Sequence, residues 1–302
     1  MNLKRIAALS VAFVTAAGAL MQPVSTIAAT KPYVALGADL DAGQRATVLQ
    51  LLGVTEADLA GDTVVTVTNA EEHEYLDAYV ASSVIGTNAL SSCKVVVEPS
   101  GHGISVETHN ITYCTPSMYE NALATAGMKN ASVTVAGPSP ISGTAALVGA
   151  MKAYSKIYGK VIDPQYIDGA TDELVTTGSI AEALGDPEKA AQLIAAVKEI
   201  IVVQNITNEG DIYVTINNVS EQMGIELTEE QKQQIISLMQ KIAVLDIDAA
   251  TLTEQAKGIY EDLKSSGLDL SQYGITDEDV NGFWALLKSL LERILSIFRG
   301  EG

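Results

Sequence analysis

Histidine, cysteine and positive charge are the scarce commodities of this chain. Its two cysteines, Cys93 and Cys114, and two of its three histidines, His102 and His109, fall in one stretch with the spacing Cys-x8-His-x6-His-x4-Cys. Structural zinc sites pair their ligands two to four residues apart on a knuckle, so this spacing does not match one. No metal and no cofactor are expected. There is no Gly-x-Ser-x-Gly elbow and no Gly-x-Gly-x-x-Gly fingerprint, the local geometries that an α/β-hydrolase serine and a dinucleotide pyrophosphate require. Lysine and arginine number 18 against 37 aspartates and glutamates, a formal charge of −19. Such a surface repels phosphate backbones and anionic headgroups, which excludes nucleic acid and acidic membrane as natural partners. Long apolar runs are also missing. The one near the start, Ile6 to Leu20, falls short of the roughly 20 residues a membrane-spanning helix needs. The stretch Phe283 to Phe298 is interrupted by Lys288, Glu292 and Arg293.

What is present begins with Lys4 and Arg5, then that short apolar run, then Ile27-Ala28-Ala29. A basic segment, an apolar segment and small residues in this order form the pattern of a secretory signal peptide, with cleavage expected after Ala28 or Ala29. Removing it deletes two bases and no acid, which takes the formal charge from −19 to −21. The acids are unevenly spread, 12 against 7 bases over residues 30–160 and 25 against 9 over 161–302. Beyond the signal peptide over 1–29, that asymmetry suggests two domains, an α/β domain over 30–160 and an acidic helical domain over 161–302.

Periodicity supports the same division. Tyr33 to Leu36, Thr63 to Thr68, Cys93 to Glu98, Ile104 to Tyr113 and Ser132 to Val135 read as strands. Between them lie helix signals: Asp41 as a cap with Gly53 as a stop, an acidic first turn at Glu71 and Glu72, and Thr115-Pro116 as a cap followed by proline. The strands on either side of Pro99 to Gly103 read as a hairpin. A helix from about Ser142 to Tyr158 follows. Beyond it the pattern is helical, with starts expected at Ser179-Ile-Ala-Glu182, at Asp186-Pro187 and at Thr228-Glu-Glu-Gln231. Ile212, Ile216, Val219 and Met223 favour helix in a segment whose β-branched residues also suit a strand. Two more helices are expected near Ala249 to Ser265 and Asp277 to Phe298. The fold class is α+β: an N-terminal mixed β-sheet with helices, followed by an all-α C-terminal domain.

Chemistry is less legible. Cys93 and Cys114 suit buried free thiols, and export would also permit a disulfide. His73 and Asp77 stand at i and i+4, as a metal pair could, although Glu72, Glu74 and Asp77 also describe an ordinary exposed acidic helix face. Thr68 and Asn69 lie where a strand meets a helix N-terminus, a position at which α/β proteins tend to bind anionic groups. Gly137-Pro-Ser-Pro-Ile-Ser-Gly143-Thr144 loosely resembles a phosphate loop but has no lysine, so Thr144 is a binding candidate at a helix start. Glu107 and His109 point to one strand face, where the carboxylate could orient the imidazole as a general base; a water-facing strand side is the favoured explanation, because no nucleophile partner can be fixed from sequence.

Several longer phrases carry a resemblance: Val34-Ala-Leu-Gly-Ala-Asp-Leu40, Val65-Thr-Val-Thr-Asn69-Ala-Glu-Glu72, Gly103-Ile-Ser-Val-Glu-Thr-His-Asn-Ile111, Ile141-Ser-Gly-Thr-Ala-Ala-Leu147 and Glu173-Leu-Val-Thr-Thr-Gly178. They resemble the YpuA-like secreted proteins of Gram-positive bacteria, domain of unknown function number one thousand and two. The resemblance implies an exported protein of α/β-plus-helical layout and transfers no catalytic residues. Two functional readings stand together. The first is an exported, non-enzymatic protein that binds an extracellular or cell-envelope partner through the α/β domain, near Thr68, Asn69, Glu107, His109 and Thr144. The second is a secreted hydrolase of cell-wall or peptide material that uses Glu107 and His109.

Overall fold

A computed structural model describes residues 31–59, 63–249 and 251–252. The expected signal segment lies outside the described residues, as do the helix near Asp277 to Phe298 and most of the one from Ala249.

In chain order the first half reads β1 (Tyr33–Gly37), α1 (Ala42–Leu52), β2 (Val64–Val67), α2 (Asn69–Leu76), α3 (Ser82–Ile85), β3 (Ser92–Val97), β4 (Ile104–Ile111), α4 (Pro116–Thr125), β5 (Ala131–Ile141) and α5 (Thr144–Tyr158). Beyond α5 the described residues include four helices: α6 (Pro164–Leu184), α7 (Pro187–Gln204), α8 (Glu209–Gln222) and α9 (Glu229–Ile242). The α+β expectation therefore holds. The segment that suited both strand and helix is α8, with Ile212, Ile216 and Val219 on its buried side.

The five strands form one mixed sheet in the order β2-β1-β3-β5-β4. β1 runs parallel to β2, and β5 parallel to β4, while β3 is antiparallel to both β1 and β5. This corrects the expected hairpin. β3 and β4 are joined by the Pro99 to Gly103 turn but do not pair, because β5 lies between them. Helix α4 brings the chain back in the direction of β4, so β4-α4-β5 is a parallel crossover unit. The apolar alternation of β5, with Ala131, Val133 and Val135 buried, suits a central strand; the polar outer side of β4 suits an edge.

One sheet face carries Ala35, Cys93, Val95, Val133 and Val135 into the main core with Leu147 and Val148 of α5. Helix α5 approaches β1 so closely that a Cβ on Gly149 would stand 2.7 Å from the Ala35 Cβ and 3.3 Å from a Val67 methyl. The opposite face holds a smaller cluster, Val34, Leu36 and Ala136 against Val48, Leu49 and Leu52 of α1. Both sheet edges are occupied by side chains. Lys152 and Lys156 of α5 donate to the outward carbonyls of Thr66 and Val64 on β2. On β4 the Val106 N–H donates to the Glu120 carboxylate at 2.9 Å.

The core continues without break past residue 160, joining Leu174 and Ile180 of α6, Leu193 and Val197 of α7, Ile216 of α8 and Leu238 of α9. Helix α6 begins at Asp163-Pro164, where Asp163 caps Gln165 N–H. The start expected at Ser179 is therefore corrected: Ser179 and Glu182 lie inside α6. A capping-box pattern also arises by composition within a helix, and an N-cap acts only where backbone N–H groups are free. The starts expected at Asp186 and Thr228 are present, each with its side-chain cap bond.

Within this helical core Lys198 of α7 and Glu173 of α6 form a fully enclosed ion pair at 2.7 Å. The Lys198 ammonium also donates to the Asn121 carbonyl at 2.9 Å and to Thr125 Oγ1 at 3.2 Å, and Thr125 donates to the other Glu173 oxygen. One polar knot thus joins α4, α6 and α7. On the surface Lys241 of α9 bridges Asp172 of α6 at 2.7 Å and Tyr79, just past α2, at 3.0 Å.

Candidate functional site

The carboxyl ends of β1, β2 and β5 open onto the N-termini of α2 and α5, and a carboxylate is buried there. Glu72, in the first turn of α2, is 1% exposed. This corrects its placement on an exposed acidic face, which Glu74 and Asp77 do occupy. Glu72, Leu76 and Val80 follow one another at helical spacing, and all three are buried. The helix has thus placed an acid at a core position. That register was the available signal.

Two of the residues singled out from sequence, Thr144 and Asn69, converge on it. Thr144, at the first position of α5, donates its hydroxyl to Glu72 Oε1 at 2.9 Å. Ser142 lies 3.2 Å from the Thr144 hydroxyl. Since Thr144 has one proton and gives it to the carboxylate, Ser142 must be the donor of that pair. Asn69 Nδ2 reaches both Glu72 Oε2 at 3.4 Å and the Gly86 carbonyl at 3.3 Å. Thr68 acts differently. It caps α2 in a reciprocal box with Glu71, its backbone N–H 2.8 Å from the Glu71 carboxylate.

The other wall of the site holds the two thiols. Cys93 and Cys114 are both free and buried, and burial pushes each up to about 12. The Glu72 charge adds to the shift at Cys114. They are unreactive while enclosed. Tyr119, fully buried beside them, donates to the Gly143 carbonyl at 2.6 Å. Gly143 stands at φ 100° before α5, and a Cβ there would meet the Tyr119 oxygen at 2.4 Å. The start of α5, and with it Thr144, is fixed by that close approach.

Burial is the largest influence on Glu72 and pushes its carboxyl up to about 7, despite the hydrogen bonds from Thr144 and Asn69 that favour the anion. The group therefore changes charge near neutrality. A carboxyl poised there can accept or release a proton, or exchange its proton for a bound cationic group.

His73 is next along α2. Its Nδ1 lies 2.6 Å from Asp77 Oδ1 and its Nε2 3.2 Å from the Gly86 carbonyl, so both ring nitrogens are taken up within the protein. Glu107 and His109 are elsewhere. They sit on edge strand β4, 3.3 Å apart, with side chains 71% and 32% exposed. By register they share a face with Ser105, Ser132 and Thr134, on the side of the sheet that α1 covers only in part. Neither Thr68 nor Thr144 bonds to them. The sequence-derived candidates thus divide into Asn69 and the buried Thr144 on Glu72, Thr68 as an exposed cap of α2, and an open pair on β4.

The model of the family described as Protein of unknown function (DUF1002) matches residues 36–259. The chain is 40% identical over 223 residues to the "Uncharacterized protein YpuA" of Bacillus subtilis (strain 168), an alignment that covers 74% of this chain and 75% of that protein. No solved structure matches. The matched span contains the sheet, Glu72 and its partners, and helices α6 to α9, and on that evidence the chain belongs to the DUF1002 family of proteins of unknown function.

Proposed function

We propose that the chain is exported and binds an extracellular or cell-envelope partner at the carboxyl edge of its sheet, where Thr68 caps α2 and Asn69 and Thr144 hold Glu72. One observation carries this reading: a carboxyl group that titrates near neutrality is held at the meeting point of three strand ends and two helix starts. Open α/β sheets place their ligands there. The acidic chain and the Glu72 carboxyl both favour a partner that presents a cationic or hydrogen-bond-donating group. Export is supported by the basic, apolar and small-residue order of the first 29 residues. The hydrolase alternative is supported less. A general base needs to be enclosed with its substrate and a nucleophile, and the Glu107–His109 pair lies on an open strand face.

Both parts can be tested by producing the full chain in Bacillus subtilis. The chain is followed through cytoplasmic, envelope and medium fractions, and its N-terminus is sequenced. The expected result is a chain that begins at Ala29 or Thr30 and sediments with the envelope, and that is released to the medium by Glu72→Gln or Asn69→Ala. An uncut chain retained in the cytoplasm would overturn export. Envelope retention unchanged in both variants would overturn the binding edge.

A further inference from the structure

The corner between α2 and α3 is closed by an imidazole with an acceptor on each nitrogen. Asp77 Oδ1 faces His73 Nδ1 at 2.6 Å, and the Gly86 carbonyl faces Nε2 at 3.2 Å. A neutral ring has one N–H and can serve only one of them; the imidazolium serves both. Gly86 ends α3, and its carbonyl also accepts from Asn69, the residue that reaches Glu72. Beyond Gly86 the segment is pinned at its far side, where the Ala89 N–H donates to the Asp39 carboxylate at 2.8 Å and the Asp39 N–H to the Ala89 carbonyl at 3.2 Å.

We propose that His73 is a proton-operated latch: its imidazolium ties the 82–90 segment to α2 beside Glu72, and loss of one ring proton releases that segment. After deprotonation the remaining proton stays with the Asp77 carboxylate, the stronger acceptor. A lone pair on Nε2 then faces the Gly86 carbonyl oxygen, and an attraction becomes a repulsion. The charged groups facing this corner act in the same direction. Asp77, the largest influence, and Glu72 both hold His73 above its ordinary value of 6.5, so the latch stays closed to a higher pH than a free imidazole would allow and opens as pH rises further. Glu72 becomes an anion over the same rise in pH, with Asp39 opposing its charge from the end of β1. From the other packed elements, Lys152 of α5 is engaged by Glu71 and Asp168 of α6 by Tyr79. Residues 82–90 contain no charged side chain.

The latch is a property of the free chain. If the binding edge proposed above also holds, the latch regulates access to it, and the following test needs no partner, so the two can fail separately. Native-state hydrogen exchange of the full chain, corrected for the intrinsic pH dependence of amide exchange, is read by mass spectrometry at pH 5.5 and pH 9. Opening of peptides within 82–90 is expected to rise about tenfold in the wild type, the lower end of what a hydrogen bond to a charged donor contributes. Peptides of β3 and β5 should stay unchanged. In His73→Gln the 82–90 peptides should exchange at the fast rate at both pH values, while Glu72→Gln should keep a pH-dependent rise. Equal protection at both pH values in the wild type would overturn the latch. So would a rise that survives His73→Gln and vanishes in Glu72→Gln, since Glu72 would then be the operator. Should His73→Gln fail to fold, wild-type NMR decides. The Gly86 and Thr87 amide shifts must titrate with the midpoint of the His73 ring nitrogens, and a different midpoint would overturn the proposal.

Discussion

The Thr144 hydroxyl lies 2.9 Å from a carboxylate oxygen of Glu72 that solvent barely reaches. This contact joins the starts of α2 and α5, and burial sets its pH response. Burial raises the Glu72 carboxyl from an ordinary 4.5 to about 7 in the folded chain. Between those values the folded state holds a proton that the unfolded state has released, so stability falls as pH rises. The loss amounts to roughly 3 kcal/mol across that window.

Glu72→Gln keeps an acceptor for Thr144 and cannot ionise. Urea denaturation at pH 5 and pH 8 should therefore show the wild type losing about 3 kcal/mol more than the variant between the two. Parallel losses would mean that Glu72 is solvated or otherwise compensated.

Alternation revealed the strands because a half-buried strand must place apolar residues on every second position. Cys93 and Val95 against Lys94 are an example, and the helix caps at Asp41, Thr115, Asp186 and Thr228 were equally legible. Strand order was not, because alternation specifies which face is buried and says nothing of which strand lies alongside. The insertion of β5 between β3 and β4 depends on α4 packing across them. The candidate site was half legible. Thr68, Asn69 and Thr144 were recognisable as residues at helix starts, but Glu72 looked like a dipole-favoured surface acid until Leu76 and Val80 showed which side of α2 faces inward. His73 and Asp77 were recognisable as an i, i+4 pair. The Gly86 carbonyl on the other side of the ring was not, since backbone groups leave no mark in a sequence.

Lys198 and Glu173 provide a second test, of fold specificity. Each is fully buried, and each would be left as an uncompensated charge if its partner were removed. Lys198→Ala alone should cost about 3–5 kcal/mol, whereas Lys198→Met combined with Glu173→Leu should recover most of that loss. A double-mutant cycle by chemical denaturation checks it. A strongly negative interaction energy is expected, and additive losses would show that the pair is not coupled.

The Glu107–His109 pair should behave as a surface contact. Exposed ion pairs contribute little, so Glu107→Gln and His109→Gln should each shift stability by less than about 1 kcal/mol. If turnover of any peptide or glycan substrate is found, both variants should retain it. Loss of turnover with stability intact would restore the hydrolase reading.

An unpaired strand edge presents N–H and C=O groups that another chain can extend, and proteins commonly block such edges with charged side chains. Here Lys152 and Lys156 occupy outward carbonyls of β2, and Glu120 occupies an outward N–H of β4. Lys152 is also tied to Glu71 in α2, so it is held in place over the edge. Lys152→Ala with Lys156→Ala removes two donors without touching the core, and Glu120→Ala does the same for the acceptor at the other edge. The triple variant should melt within a few degrees of the wild type while its light scattering at high protein concentration rises with time. The two readouts separate edge exposure from unfolding. A chain that stays monodisperse would show that the short length of β2 and the bulge between His109 and Ile111 in β4 suffice to protect the edges.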